Sequence, residues 1–322
     1  MTALSFETAL DHRVGEMLDA CTKCGKCVEA CPSVAPAGIA DAAPQDVIAG
    51  VLDLVRTGDG PEASRKWANA CTLSGECIDA CDYGVNPRFL LAMARVAVVR
   101  RANALPERRR EGVAKYRGTS QDVAVLSRMQ LETEVLERLG QGRAAVAKPA
   151  EAPDFVFYTG CNVLKTPHIA LLALDIMDRI GITYKVLGGP SHCCGVVQMR
   201  TGDVATSGRF SEATMNKLAA SKTKEVLAWC PSCNTQFNDT ALPTIEKLHG
   251  ARPFEMTPFM LFLRRSLDRL RSHLTRRVEM RVALHKHPGI PGVVHAAEDM
   301  LNAVPGIELV DLKQPAVGMM AN

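Results

Sequence analysis

Cys193-Cys194-Gly195 and, further along, Cys230-Pro231-Ser232-Cys233 are the stretches that decide the fold, together with Cys161 upstream. Each of the three follows an apolar, strand-like run, and amphipathic, helix-like segments separate those runs. This alternation from Asp154 onward predicts a βαβαβ unit with a parallel sheet. Because loops at the carboxyl ends of parallel strands meet at one edge of the sheet, we expect the five thiols to converge there.

Cysteine is abundant in this chain, with 12 residues in 322. The start Met1-Thr-Ala-Leu-Ser-Phe-Glu lacks the basic and apolar segments of a secretory signal. We therefore expect a cytoplasmic chain whose thiols are metal ligands or reactive groups rather than disulfides. No apolar run approaches the roughly 20 residues that cross a bilayer, so any membrane association would come through a partner. The formal net charge of +3 gives no reason to expect nucleic-acid binding.

A first cysteine motif lies near the start of the chain and reads Cys21-Thr-Lys-Cys24-Gly-Lys-Cys27-Val-Glu-Ala-Cys31-Pro32. It matches the C-x2-C-x2-C-x3-C-P run of bacterial ferredoxins at every position. Three thiolates at this spacing wrap around one [4Fe-4S] cluster, and the fourth serves a neighbouring cluster. Zinc is the alternative, but its sites usually come as two separated pairs of ligands.

The motif recurs, in altered form, as Cys71-Thr-Leu-Ser74-Gly-Glu-Cys77-Ile-Asp-Ala-Cys81-Asp82. Serine stands where the first motif has Cys24, and Asp82 stands where it has Pro32. In two-cluster ferredoxins, the fourth cysteine of each motif binds the cluster of the other motif. This exchange predicts a first cluster on Cys21, Cys24, Cys27 and Cys81, and a second on Cys31, Cys71 and Cys77. Ser74 then lies at the vacant corner of the second cluster. We favour a [3Fe-4S] cluster there; the alternatives are a [4Fe-4S] cluster ligated by the Ser74 oxygen, or no second cluster.

The predicted fold class is α+β with several domains. A helical, ferredoxin-like iron–sulfur domain spans 1–100 and a basic helical linker spans 101–153, with an amphipathic helix over 121–139. The cysteine-rich α/β repeat spans 154–250 and includes a helix over 211–221. A degenerate second repeat spans 251–322, with a helix over 257–277 and a strand over 281–288. The basic run at 100–117 predicts a solvated face or a docking surface for an acidic partner.

The spacing of these thiols resembles the cysteine-rich CCG domain of the heterodisulfide reductase catalytic subunit. That domain also occurs in iron–sulfur subunits of glycolate oxidase and of anaerobic glycerol-3-phosphate dehydrogenase. The resemblance rests on Tyr158-Thr-Gly-Cys161, Cys193-Cys194-Gly195 and Cys230-Pro-Ser-Cys233. It implies a non-cubane [4Fe-4S] cluster that cleaves a disulfide, with Cys161, Cys193, Cys194, Cys230 and Cys233 as ligands. The alternatives are a zinc ion on four of these thiols and a disulfide between the adjacent cysteines.

The ferredoxin-like motifs resemble the companion subunit of the same family, which here is fused to the CCG domain in one chain. Full members of the family have a second cysteine-rich copy. Here no cysteine lies beyond Cys233, so we expect this copy either to be vestigial and to complete the sheet, or to be truncated. His192, His285 and His287 are proton-donor or substrate-binding candidates, against purely structural roles.

These features predict an iron–sulfur oxidoreductase subunit that reduces a disulfide, or oxidises a thiol, at Cys193 and Cys194. The chain lacks a flavin or nicotinamide fingerprint. We therefore expect a flavoprotein partner within a hetero-oligomeric complex. One alternative is a non-catalytic relay subunit of a flavin dehydrogenase that passes electrons to a quinone or membrane subunit. A structural zinc domain is the other.

Overall fold

The first part of the chain is helical. The computed structural model describes residues 5–140, 152–286, 289–311 and 313. Residues 141–151, near the end of the predicted linker, lie outside these residues. The first eight helices are α1 (Phe6–Ala20), α2 (Lys26–Glu29), α3 (Pro44–Thr57), α4 (Glu62–Asn69), α5 (Glu76–Asp79), α6 (Pro87–Ala102), α7 (Leu105–Gln130) and α8 (Thr133–Arg138).

Strands and helices then alternate, which confirms the predicted α+β class. The strands are β1 (Phe155–Gly160), β2 (Tyr184–Gly188), β3 (Glu225–Ala228), β4 (Glu255–Pro258), β5 (Met280–Val282) and β6 (Ile307–Leu309). The helices are α9 (Pro167–Arg179), α10 (Val196–Arg200), α11 (Val204–Ala219), α12 (Pro231–Thr235), α13 (Leu242–His249), α14 (Phe259–Arg265), α15 (Leu267–Arg271) and α16 (Val293–Ala303).

The parallel sheet has the strand order β2-β1-β3-β4. All of its pairs are parallel, with Phe157 opposite Val186 on one side and Leu227 on the other. The first two connections cross over through α9 and through α10 and α11, as parallel pairing requires. The carboxyl ends of β1, β2 and β3 therefore lie at one edge, and the cysteines follow these ends.

The described residues form two compact units. The first contains the chain up to Arg109, the segment Met199–Asp203 and the chain from Arg276 onward. The second contains Arg110–Gln198 and Val204–Thr275. The division at 100, 153 and 250 stays a prediction about sequence domains.

Helices α3 and α6 form the centre of the first unit. Val51, Leu52 and Leu54 of α3 are fully buried, as is Leu90 of α6, and Trp67 of α4 packs into the same core. Cys27 and Cys77 belong to this core too, so the two cysteine motifs pack directly on it.

The core of the second unit is rich in aromatic rings. Phe157 of β1 meets Phe259 edge-on at 5.3 Å, and Tyr158 meets Phe237 at 5.5 Å between ring centroids. Side chains of successive strand residues point to opposite faces of a sheet. Both neighbours in β1 are nevertheless fully buried, so β1 is covered on both faces, as an interior parallel strand requires.

Two predictions for residues after 250 were wrong. The predicted helix 257–277 is instead strand β4 followed by the short helices α14 and α15. Its first residues add a parallel strand to β3, where Thr257 donates to the Glu225 carboxylate at 2.5 Å. Among the described residues of the predicted strand 281–288, only the first two belong to a strand, β5, which pairs with β6 in a two-stranded sheet, and residues 287–288 lie outside the described residues. The degenerate repeat therefore does not complete the main sheet through β5 and β6.

Two helix boundaries also differ from the predictions. The helix predicted for 121–139 begins much earlier, because α7 includes most of the basic run, and it breaks after Gln130. The helix predicted for 211–221 begins at Val204 and ends at Ala219. In the described part of the chain, none of the helices combines the length and apolar composition needed to span a bilayer.

We predict that Leu90→Ala destabilises the first unit by about 2–5 kcal/mol, because it leaves a cavity at a fully buried position between α3 and α6. The shift of the urea midpoint under anaerobic conditions measures this loss. Leu105→Ala is the control, since Leu105 is 40% exposed and its replacement should cost under about 0.5 kcal/mol. Equal effects of the two changes would contradict the assigned core.

Candidate metal centres

The two ferredoxin-like motifs have the same backbone. Lys23 and Leu73 adopt positive φ angles of 59° and 69°, and Gly25 and Gly75 adopt 86° and 82°. Each glycine then caps a one-turn helix, α2 or α5. The left-handed turn needs glycine, and a Cβ on Gly25 would also lie 2.9 Å from the Pro44 Cβ. The internal repeat seen in the sequence is therefore a repeat of structure.

The first predicted ligand set lines one cavity, whose walls include Cys21, Cys24, Cys27 and Cys81. Burial raises the pKa of Cys27 to about 12, and the nearby Cys21, Cys24 and Cys81 add to the shift. Cys24 is exposed, so this site opens to solvent. The structure thus brings Cys81 of the second motif to the thiols of the first.

The second predicted ligand set surrounds Cys77. Burial raises the pKa of Cys77 to about 12, with further contributions from Cys71 and Cys31. Ser74 is half-buried on the same loop, between Cys71 and Cys77. Cys31 of the first motif therefore lies with the thiols of the second, as an exchange of ligands between motifs requires.

Asp82, which stands where the first motif has Pro32, forms an ion pair with Lys26 of the first motif. Its carboxylate lies 2.5 Å from the Lys26 ammonium, and both side chains are more than half exposed. Exposed ion pairs contribute little to stability. The replacement therefore links the two motifs at the surface without adding a buried charge.

In the second unit, the five remaining cysteines lie where β1, β2 and β3 end. Cys193, Cys194 and Cys233 are buried, and Cys161 and Cys230 are half-buried. Cys194 perturbs the pKa of Cys193, Cys233 perturbs that of Cys194, and Cys230 perturbs that of Cys233, so these four thiols lie side by side in a row. Cys161 lies close enough to Cys193 to raise its pKa. The predicted convergence of these thiols is what the structure shows.

The four thiols in this row differ in acidity. The neighbouring Cys193 and Cys233 thiols lower the pKa of Cys194 well below its ordinary value. The Cys233 thiol likewise lowers the pKa of Cys230, while the pKa values of Cys193 and Cys233 are raised. Thiolates are the species that bind metals. Cys194 and Cys230 are therefore the thiols most easily deprotonated within the row.

Three hydroxyl groups of helix α11 hold the backbone of the paired cysteines. Ser207 donates to the Gly195 carbonyl at 2.9 Å, Ser211 to that of Cys194 at 2.8 Å, and Thr214 to that of Cys193 at 2.8 Å. The three side chains are essentially fully buried. Because positions i, i+4 and i+7 lie on one helix face, α11 binds three successive carbonyls. Sequence reasoning missed this clamp, although its spacing is visible in the sequence.

Gly195 completes the turn after the paired cysteines. Its φ is +80°, and a Cβ there would lie 2.5 Å from the Ser207 carbonyl oxygen. No other residue type fits such a close approach without moving α11. The third letter of the CCG triplet thus sets how closely the cysteines approach α11.

Two tyrosines that sequence reasoning left without a role lie beside the thiols. Tyr158 is fully buried and donates to the His192 carbonyl at 2.6 Å. Burial raises its pKa well above the ordinary value, and four of the neighbouring cysteines add to this. Tyr116 of α7 donates to the Pro190 carbonyl at 2.7 Å, and Cys193 and Cys161 contribute to its raised pKa, after burial. Tyr116 comes from the segment predicted as a linker, so no local pattern indicated it.

The candidate histidines differ in their surroundings. His192 Nδ1 lies 2.7 Å from the Gly188 carbonyl and therefore donates to it, which leaves Nε2 as an acceptor. Burial lowers its pKa, so the ring is neutral near pH 7. His285 is exposed and belongs to the first unit, whereas the five cysteines belong to the second. His287 lies outside the described residues.

The residues of the second unit fit an iron–sulfur cluster by the chemistry of their donors. Five sulfur atoms and no carboxylate make up the predicted set, which suits iron–sulfur or zinc rather than hard cations. Asn234 Nδ2 and Gln236 Nε2, directly after Cys233, are buried amide donors without an acceptor among the described residues. A sulfide or thiolate sulfur of a bound cluster would supply an acceptor for these amides. Within the same described residues, no three histidine, cysteine or carboxylate side chains are arranged to hold a single metal ion.

Comparison with known proteins assigns both parts of the chain. Residues 16–85 match a 4Fe-4S dicluster domain, and residues 155–238 match a cysteine-rich domain, the CCG domain. The chain thus combines a 4Fe-4S dicluster domain with a CCG domain.

Three curated relatives are each named as a subunit of dihydromethanophenazine:CoB–CoM heterodisulfide reductase. The protein of Methanosarcina acetivorans is 25% identical, and those of Methanosarcina mazei and Methanosarcina barkeri are 24% identical. Each alignment covers 92% of this chain and 75% of the relative. No solved structure matches the chain. The alignments span both matched domains, so this chain is similar to these relatives over its dicluster and cysteine-rich parts together.

We predict that Thr214→Val, which keeps the side-chain shape, destabilises the second unit by about 1–3 kcal/mol because the buried Cys193 carbonyl loses its donor. Thr214→Ser keeps the hydroxyl and is the matched control. Urea unfolding followed by tryptophan fluorescence measures both variants. Equal stability of the valine and serine variants would show that the clamp contributes nothing.

Proposed function

We propose that this chain is the disulfide-reducing iron–sulfur subunit of a hetero-oligomeric complex. Electrons arrive from a flavoprotein partner at a [4Fe-4S] cluster on Cys21, Cys24, Cys27 and Cys81. They pass through a second cluster on Cys31, Cys71 and Cys77 to a non-cubane [4Fe-4S] cluster on the five cysteines of the second unit. There a disulfide is reduced or, in the opposite direction, a thiol is oxidised.

The convergence of five thiols at three neighbouring strand ends is the observation that supports this proposal most strongly. Four of them perturb one another's pKa in sequence, as neighbouring thiols do, and the fifth, Cys161, acts on Cys193. A single zinc ion needs four donors around one point. A row of sulfurs that includes two adjacent cysteines suits a centre with several metal atoms better, because adjacent thiolates can bind neighbouring irons.

A bound cluster would supply electrons singly and offer an iron to a substrate sulfur. The chain's own residues prepare the place where this happens. Ser207, Ser211 and Thr214 fix the backbone that presents Cys193 and Cys194, so the two sulfurs keep their separation. Tyr158 holds the preceding His192 carbonyl from within the core. Neutral His192, with a free lone pair on Nε2, can accept a proton from a thiol or return it to a thiolate.

The relatives support a partnership, since each is named as a subunit of a heterodisulfide reductase. In the proposed complex, a flavoprotein divides the two electrons of a hydride or thiol pair into single steps. The exposure of Cys24 supports entry of electrons from this partner at the first cluster.

A relay function is the second candidate. Residues 251–322 contain no cysteine, so they offer no thiol ligands for a second cysteine-rich cluster of the family type. In this version the five-thiolate centre passes electrons onward to a quinone or membrane subunit, and disulfide chemistry takes place elsewhere. Activity toward a disulfide separates the two candidates.

We predict that Ser74→Cys raises the iron content by about one atom per chain, because it completes the ligand set of a three-iron cluster. Loss of the EPR signal of oxidised [3Fe-4S] in the variant, under anaerobic conditions, provides the measurement. Ser74→Ala is the control and should leave both iron content and signal unchanged. A loss of one iron in the alanine variant would show instead that the serine oxygen ligates a four-iron cluster.

We predict that Cys194→Ala abolishes disulfide-linked electron uptake and removes about four irons per chain, while the EPR signals of the two N-terminal clusters remain. Iron analysis, EPR and single-turnover oxidation by a disulfide check the three parts. Cys24→Ala is the matched control and should disturb the first cluster instead. Unchanged disulfide oxidation in Cys194→Ala would contradict catalysis at this site.

A further inference from the structure

Helix α6 places two arginines against the second cysteine motif. Arg88 and Arg95 are seven residues apart, which is close to two helical turns, so both lie on the same face of α6. Arg88 is buried and Arg95 is partly buried. Both reach the segment that holds Cys71, Ser74 and Cys77, and neither has a counterpart among the residues that line the first cavity.

Arg88 contacts the middle of the loop that runs from Cys71 to Cys77. Its Nη1 donates to the Leu73 carbonyl at 2.9 Å and would lie 3.2 Å from a Cβ on Gly75. Its charge also acts on Cys77, whose pKa it lowers against the effect of burial. The guanidinium is thus next to both the vacant corner at Ser74 and a ligand thiol.

Arg95 lies near Cys71, at the start of the same loop. It donates to the Ala68 carbonyl near the end of α4, and its charge interacts with Cys71. Burial and the like charge of Arg200, also in the first unit, oppose its ionisation, and Cys71 favours it. Arginine remains protonated in proteins. A guanidinium in such a place needs an anion beside it, and a cluster with thiolate ligands is one.

The first motif has different surroundings. Its cavity is lined by cysteines and by apolar or neutral residues, with no lysine or arginine among the described lining residues. The neighbouring Lys26 is exposed and paired with Asp82, so solvent and its partner screen its charge. The two cluster sites therefore share one backbone but differ in the fixed charge around them.

We propose that Arg88 and Arg95 raise the reduction potential of the second cluster above that of the first and so direct electrons from the first to the second. Each reduction adds one negative charge to a cluster. Nearby fixed cations stabilise the reduced state more than the oxidised one, and cluster potentials follow net charge and hydrogen bonds to the sulfurs. This inference rests on the proposed pair of clusters and adds a direction to their electron transfer.

An EPR-monitored redox titration of the full, iron-loaded protein tests the proposal. Arg95→Gln should lower the ratio of reduced to oxidised second cluster about tenfold at a fixed potential, equivalent to about 59 mV for one electron. Arg95→Lys keeps the charge and should restore most of the shift. The first cluster should keep its potential in both variants and serves as the internal reference. Arg88→Gln and Arg88→Lys repeat the comparison from the other end of the loop.

The outcomes distinguish an effect of the arginine charge on the cluster potential from a purely structural role of these side chains. A negative shift confined to the second cluster and reversed by lysine supports the proposal, and so does loss of the second cluster from the glutamine variants alone. An unshifted potential, an equal shift of both clusters, or loss of the cluster from the lysine variants as well would overturn it. A wild-type protein without a second cluster would contradict the proposed function rather than the role of these arginines.

Discussion

The placement of paired cysteine sulfurs by buried backbone hydrogen bonds is the constraint that shapes the second unit. Cys193, Cys194 and Gly195 present three successive carbonyls to α11, and Ser207, Ser211 and Thr214 bind one each. A buried carbonyl without a donor costs free energy, so sheet and helix must keep this spacing. Gly195 allows the approach because it has no side chain, and β1 and β3 bring the other thiols to the same edge.

In the first unit, the main feature is a backbone structure that occurs twice. Two loops with matched left-handed residues pack on the α3–α6 core, and each places one cysteine at the other's site. Replacement of one cysteine by Ser74 breaks the chemical symmetry, and the arginines of α6 break the electrostatic symmetry at the same place. The motif with one cysteine fewer is thus the one with fixed positive charge beside it.

Local pattern was enough to predict the convergence of the thiols. Each thiol follows a strand, and strand-like runs separated by amphipathic helices predict a parallel sheet. Strand β4 escaped prediction because Glu255–Pro258 is short and leads directly into the helical Phe259–Arg265, so the apolar period of the helix concealed it. Tyr116, Arg88 and Arg95 depend on contacts between distant segments, which no local period reveals. The hydroxyls of α11 were visible as an i, i+4, i+7 set, but their partners were not.

If the five thiols of the second unit bind a cluster with several irons that reacts with sulfur substrates, metal content and spectrum must both show it. EPR spectroscopy and metal analysis of anaerobically purified wild-type protein, before and after addition of a disulfide, provide the test. We expect about 11 irons per chain and a signal, distinct from those of the N-terminal clusters, that changes when the disulfide is added. About one zinc per chain, with signals only from the N-terminal clusters, would contradict a reactive cluster on these thiols.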